Sequence, residues 1–487
     1  MKKFFALLLV LVMLVPFVVA CGGGEETTTT TTEKTNTDGN FSSKTTVKRD
    51  WADQTLLVAA TAWGGSPGYP WSTMEIVIKE GQTSGWGEKI DAAVLDRTAA
   101  IYDKYGVKVV WEWASRYDTH KVLKNAILAG NDPDYDLAMP RQFRIQTIVA
   151  DNSVYDMANR QYIDFDNPYF NDLSVKTYTA KGHTFFITGD FANLDKETAF
   201  VLYFNKDVLG DEAATNKLYQ MVRDGKWTFD QLVSLSNSRY KDDGDGKFND
   251  SDTYGLSTTS LTRFYEYFGV TQAGVDESTG EWKIALKDPK VDDIVAKIIT
   301  ANTANWARSA WGGAWGSDAQ QALKDDRLLF YNEVIQHIAH VAHFGNIGIV
   351  PFPMLNEEQG RYYAPCAGQQ PTLMCVPRTT SDRNMSDYFV DVLAWTGRDY
   401  VMDAYYENMA DQVDSAVEME MIKEYIMPNV SYDAGAATPD WGSLMGSVLS
   451  ASYNGNVNNF AQAYANAEAG ALKKIQSWND AWGAYEE

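Results

Sequence analysis

Thr55-Leu-Leu-Val-Ala-Ala60, Val107-Lys-Val-Val-Trp-Glu-Trp113 and Asp134-Tyr-Asp-Leu-Ala-Met139 are three short apolar runs, and what separates them decides the fold. Between the first and second, residues 88–105 put Ile90, Val94, Ile101, Tyr102 and Tyr105 on one face of a helix that Gly106 stops. Between the second and third, Asp118 or Thr119 caps a helix carrying Val122, Leu123, Ala126 and Ile127, which Gly130 ends. Strand, helix, strand, helix, strand predicts a doubly wound α/β sheet and argues against a β-sandwich.

Further along the chain a second set begins with Thr198-Ala-Phe-Val-Leu-Tyr-Phe204, and Trp227-Thr228-Phe229-Asp230 opens a helix with Thr228 as its N-cap. Leu328-Leu-Phe-Tyr331 and Ile347-Gly-Ile-Val350 read as short buried strands. The last 110 or so residues are mainly helical in pattern, as at 388–395 and 459–478, and no repeat of 20 to 50 residues is present.

Towards the N-terminus, Lys2 and Lys3 precede an apolar stretch from Phe4 to Val19 that ends in Val18-Val19-Ala20-Cys21. So short an apolar segment closed by small residues reads as a secretory signal rather than a spanning helix. The tetrapeptide resembles a bacterial lipobox, which implies cleavage before Cys21 and lipid on its sulfur. Residues 1–20 are therefore a signal peptide and 21–50 a tether of Gly, Thr, Asn and Ser with almost nothing apolar to bury. Such a coil spans roughly 30 Å. No second apolar run reaches spanning length, so the chain is expected as a lipoprotein on the outer face of the cell membrane, not as a channel or permease.

Across its 487 residues the chain has 42 Lys+Arg against 65 Asp+Glu, a net charge of −23. That balance excludes a phosphate-backbone partner, so no nucleic acid is expected, and no basic stretch is available to hold an anionic membrane. Aromatic residues are abundant, with 15 Trp, 27 Tyr and 21 Phe. Besides Cys21 only Cys366 and Cys375 remain; an oxidising compartment allows them to bridge as a disulfide, with two free buried thiols as the alternative.

Several motifs, in order, resemble the family 1 extracellular solute-binding proteins, the receptors of ABC importers that include the maltose-binding protein. They are the lipobox, Ala129-Gly130-Asn131-Asp132-Pro133-Asp134-Tyr135-Asp136, Tyr203-Phe204-Asn205-Lys206-Asp207, Trp227-Thr228-Phe229-Asp230-Gln231-Leu232, Asp252-Thr253-Tyr254-Gly255-Leu256 and Gly348-Ile349-Val350-Pro351-Phe352-Pro353. The resemblance implies a type II two-lobed α/β clamp, with mixed sheets flanked by helices and a hinge between the lobes. On that pattern lobe one comprises 51–190 and 316–365, lobe two comprises 191–315 and 366–487, and the first crossing lies near Ile187-Thr188-Gly189-Asp190. It also implies an oligosaccharide ligand, delivery to the transmembrane subunits of an ABC permease, a monomeric receptor and no catalysis.

In open α/β sheets ligands sit beyond the carboxyl ends of the strands. Sugar rings lie on aromatic faces while planar polar groups take their hydroxyls. Trp63, Trp71, Trp311, Trp315 and Trp441, all beside Gly or Pro in loops, suit the platform role, and Arg141, Gln142, Asp190 and Asn332 suit the rim. Trp441 matches, by the resemblance, a C-terminal aromatic that follows Met427-Pro428-Asn429. Tyr331 stands where the family has a Trp-bearing loop, although Glu333 and Val334 occupy that loop here.

Asp242-Asp243-Gly244-Asp245-Gly246-Lys247-Phe248-Asn249-Asp250-Ser251-Asp252 resembles an EF-hand-type calcium loop in which Asp243, Asp245, Asn249 and Asp252 fit ligand positions. Lys241 occupies the first position, where Asp242 serves if the loop is one residue short. A structural calcium is thus the one cofactor expected. His337, His340 and His343 lack completing ligands and read as core or interface residues. A surface glycoside hydrolase or lyase, a receptor for a non-sugar ligand, and an adhesin or sensor-partner lipoprotein are the other classes that the residues admit.

Overall fold

A computed structural model describes residues 48–62, 75–77, 87–115, 118–258, 261–309, 317–368, 370–413, 415–435, 446–452 and 454–486. Strands β1 (Thr55–Ala62), β2 (Lys108–Ser115) and β3 (Leu137–Ala138) form a parallel sheet in the order β2-β1-β3. Helix α1 (Glu88–Tyr105) joins the first two strands and α2 (Thr119–Leu128) the next two, the βαβαβ order that the spacing predicts. α1 buries Ile90, Val94, Ile101 and Tyr105, but Tyr102 is 55% exposed because the stripe is narrower than its apolar residues. Gly106 ends the helix at φ 75, and a Cβ there would stand 2.9 Å from that of Ala52.

The chain then passes through α3 (Ile145–Ala150), β4 (Val154–Tyr155), α4 (Asp172–Tyr178), the hairpin β5–β6 (Thr179–Ala180 and His183–Thr184) and α5 (Leu194–Glu197). A second sheet follows. It contains β7 (Phe200–Asn205) and β8 (Tyr254–Thr258); a separate hairpin, β9 (Ala273–Val275) with β10 (Trp282–Ile284), precedes its remaining strands β11 (Ala307–Ser309), β12 (Leu328–Val334) and β13 (Ile347–Val350). Its order is β11-β8-β12-β7-β13, with β8, β11 and β12 parallel and β7 antiparallel to both its neighbours. Two-stranded pairings of β14 (Ala364–Pro365) with β16 (Val430–Ser431), and of β15 (Val376–Pro377) with β4, complete the described strands. The whole is a mixed α/β clamp of two sheets flanked by helices.

Strand pairing corrects the boundaries expected for the two lobes. The family pattern puts 316–365 with 51–190, yet β12 lies between β7 and β8, and β13 pairs with β7. The same pattern puts 366–487 in lobe two, yet β15 pairs with β4, and Tyr388, Phe389, Val392 and Leu393 of the helix Arg383–Thr396 share one hydrophobic core with Leu56, Val58 and Ala60 of β1. A buried strand carries no mark of which sheet receives it, and here long-range pairing decides.

On the second sheet, Trp227 is fully buried and donates from Nε1 to the Pro351 carbonyl at 3.0 Å, fixing the start of the helix Phe229–Arg239. Thr228 occupies the N-cap in extended conformation but makes no side-chain cap bond. No helix among the described residues is long and apolar enough to cross a membrane.

Candidate functional site

All three strands of the first sheet end on the same side, and the chain beyond β3 carries Arg141 and Gln142, each about 1% exposed. Arg141 donates to the Gln370 carbonyl. Gln142 donates from Nε2 to the carbonyls of Asp433 at 2.6 Å and Gly368 at 3.1 Å, and its Oε1 accepts from the Tyr178 hydroxyl. Both rim candidates therefore fasten the post-β3 turn to the segments that return from the second sheet.

The first passage between sheets runs from Ile187, bridged to Met374, through α5 to β7. Asp190 is 7% exposed and meets Lys196 at 3.3 Å and Arg398 at 3.1 Å. A Cβ on Gly397 would fall 2.0 Å from the Asp190 carbonyl, so only glycine admits this approach. Asp195, almost fully buried, accepts from Tyr432 Oη at 2.7 Å and Thr188 Oγ1 at 3.1 Å.

Glu75, in the described fragment after β1, reaches the same passage and accepts from the Asn193 amide at 2.9 Å. Burial pushes its carboxyl upward, while the nearby Arg141 pulls it back. Glu197 is pushed up to about 7 by burial, with Tyr405 and Asn193 close by opposing the shift. Among the described residues, Glu75 Oε1, Asn193 Oδ1, Gln272 Oε1 and Gln370 Oε1 have no hydrogen-bond partner.

On the second sheet Tyr331 and Asn332 belong to β12 and are buried. Asn332 Oδ1 accepts from Tyr267 at 2.8 Å and Thr258 at 3.1 Å, while Nδ2 donates to the Val201 carbonyl at 2.9 Å. Its amide is a tie across the sheet. The Tyr331 ring stacks on Tyr203 with centroids 6.3 Å apart, and its hydroxyl accepts from Gln320 at 3.3 Å. At the carboxyl end of β12, burial lifts Glu333 to about 7. Arg263 stands beyond β8, 4.3 Å over the Phe200 ring and 3.2 Å from Glu266, whose carboxyl burial also lifts to about 7.

Trp63, Trp71, Trp311, Trp315 and Trp441 lie outside the described residues, as does Cys21. In sequence, Trp63 and Trp71 follow β1, and Trp311 and Trp315 follow β11. Glu75, Asn193 and Glu266 follow no strand-end pattern in the sequence; of the four, Arg263 alone carries such a signal, standing shortly after β8.

Cys366 and Cys375 are free and buried, the second of the two arrangements that the sequence allows. Cys366 bridges to Ala199 and contacts Thr198 Oγ1 at 3.0 Å, whereas Cys375 pairs with Ala138 of the first sheet. Each has its own backbone partner, and burial pushes both thiols up. Burial lowers His337 to about 4, so it is neutral.

The acidic loop closes through the Lys241–Thr253 bridge. Asp242, Asp243 and Asp252 bring oxygens within 4.8 Å of one another, with Asp252 buried and the other two towards solvent. Asp242 rather than Asp245 thus joins the converging carboxylates; Asp245 accepts from the Lys247 amide at 2.7 Å and from Asn249 Nδ2 at 3.0 Å.

No protein-family model matches this chain, and no curated protein does. Solved structures do. A cyclo/maltodextrin-binding protein complexed with maltotetraose has 13% identity, covering 87% of this chain and 97% of its own, with a TM-score of 0.55. The sugar-binding protein MalE from Xanthomonas citri has 10% identity over 89% of this chain and 100% of its own, at a TM-score of 0.53. The bacterial solute receptor AcbH, described as preferring β-D-galactopyranose, has 14% identity over 87% and 98%, at 0.52. These likenesses are of fold, and they run nearly end to end in each neighbour.

Proposed function

We propose that this chain is the sugar-binding receptor of an ABC importer, of the family 1 solute-binding type, and that it catalyses no reaction. The observation that carries the reading is the end-to-end fold likeness to a maltodextrin-binding protein. The passage between the sheets adds chemistry: planar side chains of Asn193, Gln272, Gln370 and Glu75 offer mostly acceptor atoms with no partner among the described residues, which suits a ligand rich in hydroxyl donors. Arg141 and Gln142 bring the first sheet to this passage, while Arg263 and Glu333 bring the second. A ligand that contacts both lobes favours the closed clamp, so binding shifts the population towards closure.

In this reading Cys21 carries the lipid, the body stands as a monomer on the outer face, and the permease receives the sugar. Calcium is the proposed structural cofactor, held by oxygens of the 242–252 loop. Isothermal titration calorimetry against a glycan panel tests the ligand. Saturable one-site binding of an oligosaccharide is expected; binding of a peptide or polyamine with no response to any glycan would overturn the sugar assignment.

A further inference from the structure

The helix Phe460–Gly483 starts on one lobe and ends on the other. Near its start, Asn458 donates to Asp292 at 3.1 Å, Asn302 donates to Asn456 at 2.8 Å, and Glu468 lies 3.5 Å from Lys287. Just before it, Ser452 meets the Tyr265 hydroxyl at 2.7 Å. These partners belong to the stretch between β8 and β11, hence to the second sheet's lobe. Further along, Trp478 and Trp482 stand edge-on to Trp282 of β10, at 5.5 and 5.4 Å, and Asn479 bonds both backbone groups of Trp282.

Beyond that point the contacts change lobe. Trp482 and Tyr485 both pack edge-on against Phe185, at 5.4 and 5.1 Å. Tyr485 tilts over His183 at 5.2 Å, and its hydroxyl accepts from the Asp156 amide at 3.0 Å. Arg378 lies 5.3 Å from the Tyr485 ring and donates to the Glu486 carbonyl. The β9–β10 tip joins in: the Gly280 carbonyl accepts from the Lys181 amide at 2.6 Å, and Glu281 pairs with the Lys181 side chain at 2.8 Å. Asp156 and Arg378 directly follow β4 and β15, which pair with each other; Cys375, just before β15, bridges to Ala138 of the first sheet, and His183 meets Asp156 at 2.8 Å.

We propose that the chain end from Trp482 to Glu486, with the β9–β10 tip, is a clasp that holds the lobes together without ligand and releases before the crevice opens. Covalent crossings act as hinges and permit rotation; this contact is noncovalent, aromatic and fully desolvated at its centre, with Phe185 and Trp482 at 0% exposure. Opening the lobes separates those two rings. The clasp thereby sets how often the empty receptor opens, and with it the rate at which ligand enters. It rests on the two-lobed fold and not on the identity of the ligand.

The test uses ligand-free full-length protein. Interlobe distances from paired spin labels and amide exchange are compared for wild type, Trp482→Ala/Tyr485→Ala, and the pair Lys181→Ala/Arg378→Ala, which removes the side-chain contacts to Glu281, the Tyr485 ring and the Glu486 carbonyl and leaves Phe185, Trp282 and Trp482 in place. Both variants are expected to shift the distance distribution to longer values and to exchange the Asp156 and Lys181 amides at least tenfold faster, with β1 and β7 amides unchanged. Distances and exchange equal to wild type in the Lys181→Ala/Arg378→Ala pair, with the fold intact, would overturn the clasp whatever the protein binds.

Discussion

Glu197 ends α5 inside the passage between the sheets, and burial lifts its carboxyl from an ordinary 4.5 to about 7. Between those values the folded protein holds a proton that the unfolded chain has released, so stability is fullest below 4.5 and falls as pH rises towards 7. Glu197→Gln keeps the shape and removes the titration. Its expected effect is a gain on the order of 2 kcal/mol at pH 8 and little change at pH 4, read by urea denaturation at both. Arg141, Gln142 and Asn332 have the planar polar chemistry of rim groups, and the structure engages that chemistry with backbone carbonyls and neighbouring side chains. The same residue types serve ligands and chain crossings, and only coordinates tell the two apart.

At the scale of elements, the spacing of apolar runs identified β1, β2, α1 and α2, because each is a local pattern with its own stop signal. Partner choice is not local: β12 joins β7 and β15 joins β4, across the lobe boundaries that the motif order implies. The helix Phe229–Arg239 packs so close on β8 that a Cβ at Gly255 would lie 2.3 Å from the Ser236 Cα. Gly255→Ala is expected to cost about 1–3 kcal/mol through forced separation of helix and strand, measured as a lowered denaturation midpoint. The acidic loop gives the other prediction at this scale. If calcium sits on Asp242, Asp243 and Asp252, adding it to chelator-treated protein raises the melting temperature, and Asp252→Asn abolishes the rise. No shift with calcium in the unsubstituted protein rejects the site.

Taken whole, the molecule matches the two-lobed clamp that the ordered motifs implied, and the likeness extends over most of the chain at identities too low for any single motif to carry. The five Trp residues that the loop pattern proposes as ligand platforms lie outside the described residues. What no motif signalled was the return of the C-terminal helix to the first lobe, since Trp478 and Trp482 read as one side of an ordinary amphipathic helix.

The interleaving also governs timing. A chain made from its N-terminus offers β1, β2 and β3 early, but the helix that covers them spans Arg383–Thr396 and β4 waits for β15. The second sheet stays open until β12 has slid between β7 and β8, well over a hundred residues after β7 appears. Neither lobe can finish while the chain is still short, so the nascent polypeptide remains threadable for most of its synthesis, and folding is a late, collective event dominated by distant pairings.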